Sequence, residues 1–340
     1  MVKLVTFGEL MLKLSPPAYS RLIQAHQMNI EYSGAEANVA VSLSNYGLPV
    51  AYITKLPDNE LGDAAIDALR RYGIDTRHVV RGGERIGIYF VEKGASQRPS
   101  KVIYDRKGSS IACSKLSDFE WDSIFDGVNW FHFTGITPAL SDSLADSCLK
   151  ACRIAKNKGI TVSCDLNYRK KLWGSKKAQE VMTQLCQYVD VCIANEEDAG
   201  AVFGVHAENS DANNGKVDVQ SYISVAQQLH QHFGFKYVAI TLRESVTASD
   251  NNWSAILYDG RQIYSSRKYA IHLVDRIGGG DAFSAGLIYG LLEYKDSQKA
   301  LDFATAASCL KQTIEGDFNL VSVAEVENLV TSAGTGRIVR

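Results

Sequence analysis

Short β-branched and aromatic runs alternate with longer amphipathic stretches along most of the chain, a pattern that predicts a mostly parallel sheet with helices on both faces. The candidate strands are 2–7, 50–54, 129–133, 160–164, 189–194 and 236–242. The clearest helix is 141–158: Ser141 supplies an N-cap, Leu144, Cys148, Cys152 and Ala155 recur at helical spacing, and Gly159 ends it. Two stretches, 11–33 and 86–106, break this rhythm. Within them Leu12-Lys13-Leu14, Ile30-Glu31-Tyr32, Ile86 to Val91 and Val102-Ile103-Tyr104 read as alternating strands. Because these stretches leave the helical layers and return to them, they predict a small β-sheet lid inserted in one α/β domain spanning 1–330. After 250 the pattern becomes a hairpin, 254–258 with 262–266, followed by three helical segments from Gly280 onward. Residues 206–219 are polar and turn-rich, which predicts a surface loop, and 331–340 reads as a tail, frayed from Ser332.

Composition narrows the classes. The chain has 340 residues, of which 46% are hydrophobic and 22% charged, enough to bury a large core. Lys and Arg number 36 against 38 Asp and Glu, so no global field draws the protein to nucleic acid or an anionic membrane. No run reaches the ~18 apolar residues of a membrane span, and the first residues are too short for a signal-peptide core. The seven cysteines include no Cys-x-x-Cys pair, which predicts reduced, mostly buried thiols in a cytoplasmic protein.

The chemistry concentrates in Val274-Asp275-Arg276-Ile277-Gly278-Gly279-Gly280-Asp281-Ala282-Phe283. Three glycines opening a small-residue helix place unhindered N–H groups at a helix N-terminus, where they and the dipole can hold a phosphate. Asp281 falls in the first turn, and capping alone accounts for a carboxylate there. Capping does not account for the glycines, and an aspartate beside a phosphate cradle is also placed to accept the proton of an attacking hydroxyl. Rival phosphate motifs are absent: there is no Walker A string, and Phe283 stands where a dinucleotide fingerprint needs its third glycine.

The run from Asp275 to Asp281 resembles the Asp-Thr-x-Gly-Ala-Gly-Asp signature of the ribokinase-like, or PfkB, carbohydrate kinases, with Arg276 for Thr and Gly279 for Ala. The resemblance extends from Gly8-Glu9 to about Glu327, and Ser33-Gly34-Ala35-Glu36-Ala37-Asn38-Val39-Ala40 is similar to the family's sugar-binding segment. Tyr104-x-Arg106, Asp165-x-Asn167-x-Arg169-x-x-Leu172-Trp173, Thr241 to Ser245 and the Asp275-Arg276 variant look most like 2-keto-3-deoxygluconate kinases within that family. The resemblance implies a ribokinase-like fold and phosphorylation of a sugar-acid hydroxyl by ATP with Mg2+. Asp281 would be the general base and the main chain of Gly278, Gly279 and Gly280 the anion hole. Gly34, Asn38, Tyr89, Tyr104, Arg106 and Arg169 would meet the sugar acid. Asn195, Thr241, Arg243, Ser245, Gly278 and Gly280 would meet the nucleotide. Asp198 stands where the family has Glu, and would hold a water of hydrated magnesium.

The residues themselves leave choices open. A carboxylate on the substrate calls for planar bidentate donors, which suits Arg106 and Arg169. Arg106 is otherwise a solvated strand charge, and Arg169 could meet either sugar acid or phosphoryl group. Asn38 could bind a hydroxyl or serve structure, and Glu9 could accept a sugar hydroxyl or tie down a loop. The same chemistry on fructose, or a non-catalytic sugar or nucleotide sensor, are the neighbouring readings. The outer face of the lid predicts a homo-oligomer.

Overall fold

The computed structural model describes residues 3–195, 197–207 and 218–332. Fifteen strands occur among them: β1 Leu4–Phe7, β2 Met11–Ser15, β3 Asn29–Ser33, β4 Val50–Ile53, β5 Lys55–Leu56, β6 Val80–Arg81, β7 Gly87–Glu92, β8 Lys101–Asp105, β9 Trp130–Thr134, β10 Thr161–Asp165, β11 Val191–Ala194, β12 Tyr237–Ser245, β13 Asp250–Tyr258, β14 Ile263–Ser265 and β15 Tyr269–His272. Six of them, in the order β12-β11-β10-β9-β1-β4, run parallel, and β13 extends the sheet antiparallel to β12, with β14 and β15 both paired to β13. Alternate residues of one strand feed opposite cores. Val5, Phe7, Phe131, Phe133, Val162 and Cys164 join one, while Leu4, Trp130, Val191 and Ile193 join the other. A sheet covered on both faces explains why its strands read as unbroken apolar runs.

The six parallel strands lie within a few residues of their expected positions. The helix Asp142–Asn157 has Ser141 as N-cap, accepting from the Leu144 amide at 3.3 Å, and Gly159 follows at φ +72°. The three late helices are Gly279–Glu293, Ser297–Lys311 and Val323–Thr331. The expected hairpin forms, but β13 begins at Asp250 and also pairs with β15, a strand the apolar pattern did not announce. At four residues, with Ala270 at one of its two exposed positions, β15 is too short for its alternation to stand out in the sequence. The short pair β5-β6 was not foreseen for the same reason. Most of the loop expected at 206–219, and the tail from 333, lie outside the described residues.

The lid is a four-stranded sheet in the order β3-β2-β7-β8, its strands interleaved in sequence with those of the main sheet. One face carries Lys13, Tyr89 and Tyr104, which the pairing sets in one row with Glu31. The opposite face carries the next row, Ile30, Leu14, Phe90 and Ile103. The cleft lies between the first face and the carboxyl ends of the parallel strands, where open α/β sheets receive ligands. The helix Gly279–Glu293 is held there by close packing on Ser297–Lys311. A Cβ at Gly286 or Gly290 would come within 2.8 or 2.6 Å of the Ala304 or Ala300 Cα.

Candidate active site

Around the glycine run the cleft wall is main chain. Gly278 is the N-cap of the helix Gly279–Glu293 at φ +80°, and a Cβ there would lie 2.1 Å from the Asp317 carbonyl oxygen, so both conformation and space demand glycine. The Gly279 amide turns back to Arg276 O at 3.3 Å, and the helical ladder starts with Ala282 N to Gly278 O at 2.8 Å. The amides of Gly280 and Asp281 thus come before the ladder, where helix N–H groups have no carbonyl of their own helix to meet. Gly278, Gly280 and Asp281 line the cleft, while Gly279 is buried behind them with its carbonyl bonded to Ser308 Oγ at 2.7 Å. Nothing lies within 4 Å of where a Gly280 Cβ would stand. That leaves open space beside two helix-head amides, groups that can hold an anion where one is present.

Asp281 is half-buried, and its Oδ2 accepts from Asn38 Nδ2 at 2.7 Å. Burial pushes its pKa up to about 7; Glu36 and Asp317 add to the rise, while the Asn38 bond and Arg169 restrain it. A carboxylate titrating there is tuned to take a proton near neutrality. Asn38 has the structural role among its two open readings. Its amide donates to Asp281, and its buried Oδ1 has no protein partner, although the residue as a whole lines the cleft. Asp165 and Asp198 share the same field. Burial, then the proximity of Asp198 and Asp281, drives Asp165 well above the carboxylate range, and burial raises Asp198 against the pull of Arg169. One guanidinium, Arg169, therefore serves three carboxyls, and its Nη1 also donates to Tyr168 O at 3.0 Å.

The lid end is made of side chains. Tyr89 and Tyr104 face each other across β7 and β8 with rings stacked at 5.9 Å, and the Arg106 guanidinium sits 5.3 Å from the Tyr104 ring centre. Arg106 is neither a solvated strand charge nor an unengaged anchor. It is 9% exposed, and both its Nε, at 2.7 Å, and its Nη2 donate to Glu9 Oε2, while Ser109 Oγ donates to Oε1 at 2.6 Å. Glu9 thus ties down the loop that carries Arg106 and Ser109. Gly34 has a packing reason as well, since a Cβ there would stand 1.9 Å from the Glu9 carbonyl oxygen.

On the remaining side Asn195, Thr241 and Arg243 line the same cleft of about 640 Å³, and Ser245 is exposed beyond it. Asn195 Oδ1 accepts from the amides of Glu197 and Asp198 at 2.8 and 3.0 Å. Asp198 accepts from the amides of Tyr168 and Asn195 at 3.0 and 3.3 Å. Among the described residues no three His, Cys, Asp or Glu side chains form a cation cage. Magnesium does not need one, because it keeps much of its water and takes phosphate oxygens, so a water-bridged place beside Asp198 fits the donor set. Sequence reasoning passed over Lys13 and Asp317, whose buried charges meet at 2.5 Å beneath the lid. They lie 304 positions apart, and nothing local marks either as inward-facing.

The profile of the pfkB family carbohydrate kinases matches residues 1–320. A 2-dehydro-3-deoxygalactonokinase of Haloferax volcanii is 33% identical over 334 residues, 98% of each chain. A crystal structure of 2-dehydro-3-deoxygluconokinase from Thermotoga maritima superposes with a TM-score of 0.94 at 50% identity, covering 98% of this chain and 100% of that one. A fructokinase from Xylella fastidiosa with bound ATP shares the fold at a TM-score of 0.75 and 22% identity, over 96% and 98% of the two chains.

Proposed function

The chain belongs to the pfkB family of carbohydrate kinases, and from that premise we propose that it transfers the γ-phosphoryl group of ATP to the terminal hydroxyl of 2-keto-3-deoxygluconate, giving the 6-phosphate. The observation that carries the chemistry is Asp281, oriented by Asn38, tuned to about 7 and placed beside the open amides of Gly280 and its own residue. The acid sugar is supported by the 50% identity to a 2-dehydro-3-deoxygluconokinase and by Arg106 and Arg169 in the cleft wall.

The sugar hydroxyl attacks the γ-phosphorus in line. The new O–P bond forms as the bond to the β-phosphate oxygen breaks, ADP leaves, and the hydroxyl proton passes to the Asp281 carboxylate. The helix-head amides hold the phosphoryl oxygens as charge spreads onto them. Asp198 would hold magnesium through the ion's own waters, and the bound ion would supply neutralisation of phosphate charge. Asn195, Thr241 and Arg243 hold the nucleotide, with Ser245 at the outer edge of that side. Tyr89, Tyr104 and Gly34 shape the sugar pocket, and Arg106 and Arg169 meet the carboxylate. The lid belongs to the same kinase unit and keeps water from the phosphoryl group.

Release of ADP, followed by a coupled assay across a panel of sugars, tests the reading. The highest kcat/KM is expected with 2-keto-3-deoxygluconate and next with its galactonate epimer, for which the Haloferax volcanii relative is named. Preference for fructose would overturn the acid-sugar assignment, and no ADP with any sugar would leave a sensor. The outer lid row, with Ile30 68% and Ile103 52% exposed, supports self-association through a second copy of the lid. All seven cysteines are free and six are buried, which supports a cytoplasmic site of action. No described helix is long and apolar enough to cross a membrane.

A further inference from the structure

Asp317 follows the helix Ser297–Lys311 and is 4% exposed. Its carboxylate accepts from Lys13 Nζ at 2.5 Å, Tyr89 Oη at 2.5 Å and Ser33 Oγ at 2.7 Å. The three donors stand on β2, β7 and β3, three of the four lid strands. Burial alone would raise the Asp317 pKa, but the Lys13 charge and these hydrogen bonds outweigh it and hold the group below its ordinary value. The carboxylate is therefore a fixed anion on which the lid hangs.

The main chain of the same residue faces the other way. The Asp317 carbonyl oxygen occupies the place where any side chain on Gly278 would stand. The neighbouring turn is bound to the same region from below. Lys311 Nζ, fully buried, donates to the Asp275 carbonyl at 3.0 Å, and the Asp275 carboxylate accepts from the Ile277 amide at 3.2 Å and lies 3.8 Å from Lys13. One residue thus grips the sugar-side lid with its side chain and backs the N-cap of the phosphate cradle with its carbonyl.

We propose that Asp317 is a positioning residue that couples the two substrate sites, so that sugar seated against Tyr89 fixes the lid on Asp317, and Asp317 fixes Gly278 and the cradle for the nucleotide. The inference rests on the kinase reading above and goes beyond it in predicting that the two substrates bind cooperatively. Coupling of this kind is reciprocal, and each substrate tightens the other by the same factor.

The test is calorimetric titration of Mg2+ and a non-hydrolysable ATP analogue, with and without saturating 2-keto-3-deoxygluconate. In the wild-type protein the sugar is expected to tighten the analogue by about fivefold or more, the usual lower range of site-to-site coupling. In Asp317→Asn, which keeps shape and loses charge, that factor should fall below about twofold while each ligand alone binds within about threefold of wild type, since the contacts to ligand remain. A merely structural role would weaken both ligands and leave the factor unchanged, and that result in the folded variant would overturn the proposal. Should Asp317→Asn melt below the assay temperature, Ser33→Ala, which removes one of three donors and strands no charge, decides by the same factor. A wild-type protein that binds both ligands independently overturns this inference alone. One that binds no sugar acid overturns the substrate reading, and this inference with it.

Discussion

Around the head of the helix Gly279–Glu293 the cleft wall is backbone: one glycine in a left-handed turn, one with open space above it, and amides that precede the helical ladder. Under the lid the wall is side chain, with Glu9 holding Arg106, and Asp317 holding Lys13, Ser33 and Tyr89. The two ends fail in opposite ways. A main-chain cradle has nothing to lose by truncation but is blocked by an added methyl group. A set of buried charges has space to spare chemically but collapses when one partner is removed, because the other is left desolvated and unpaired.

The largest effect is expected at the one reactive side chain of the phosphate end. Asp281→Asn keeps a carbonyl oxygen for Asn38 to donate to, so melting temperature should not fall, while kcat falls by about 10²-fold or more, the scale of general-base catalysis. Steady-state kinetics beside a thermal melt reads both, and activity near wild type would remove Asp281 from its role. Next comes Arg106→Ala at the lid end. Loss of a charged hydrogen bond of ~1.5–3 kcal/mol should raise KM for the sugar acid by about tenfold or more and leave fructose nearly unaffected. The same change leaves Glu9 buried with Ser109 alone. The fold should therefore lose roughly 3–5 kcal/mol, read by denaturant unfolding. If the substitution changed only specificity, the contrast between the two ends would be wrong.

A smaller pair of substitutions divides the phosphate end within itself. Gly278→Ala forces a methyl group against the Asp317 carbonyl at positive φ, and should cost ~1–3 kcal/mol or more of stability. Gly280→Ala meets no atom within 4 Å, so stability should stay level or rise by ~0.4–1 kcal/mol as unfolded-chain freedom drops. Its methyl group stands where a phosphoryl oxygen would, so the nucleotide KM should rise although the protein is no less stable. An unchanged KM would show that the phosphate passes elsewhere.

The same contrast governs what could be read in advance. The glycine run, Asp281 and the parallel strands were legible because each is written in contiguous residues: a turn chemistry, a period, a cap. Tyr104 could be placed on a lid strand by its alternating pattern, whereas Arg106 lies just past the end of β8. Pairings across 97 positions for Glu9 and Arg106, or 304 for Lys13 and Asp317, leave no local trace. Lys13 in particular sits between Leu12 and Leu14, where a two-sided strand gives no reason to turn a charge inward rather than out. Asn38 stands in a readable segment, but its bond to Asp281 depends on a helix 243 positions away.

The smallest expected signal is the most specific to Asp281, because it needs no change at the site. With its pKa raised to about 7, the carboxylate is the base form only above that value. Log kcat/KM should therefore climb with a slope near one below pH 7 and level off above it. Linkage gives the opposite sign for stability. A carboxyl whose folded pKa exceeds its unfolded value binds more protons folded than unfolded between those two values, so the group weakens the fold as pH rises from about 4 to 7. Asp281→Asn should therefore melt higher relative to wild type at pH 7.5 than at pH 4.5, and that difference between the two melting curves is the measurement. An equal offset at both pH values would mean that Asp281 titrates as an ordinary surface aspartate, and the phosphate end would then lack the tuned base that distinguishes it from the lid.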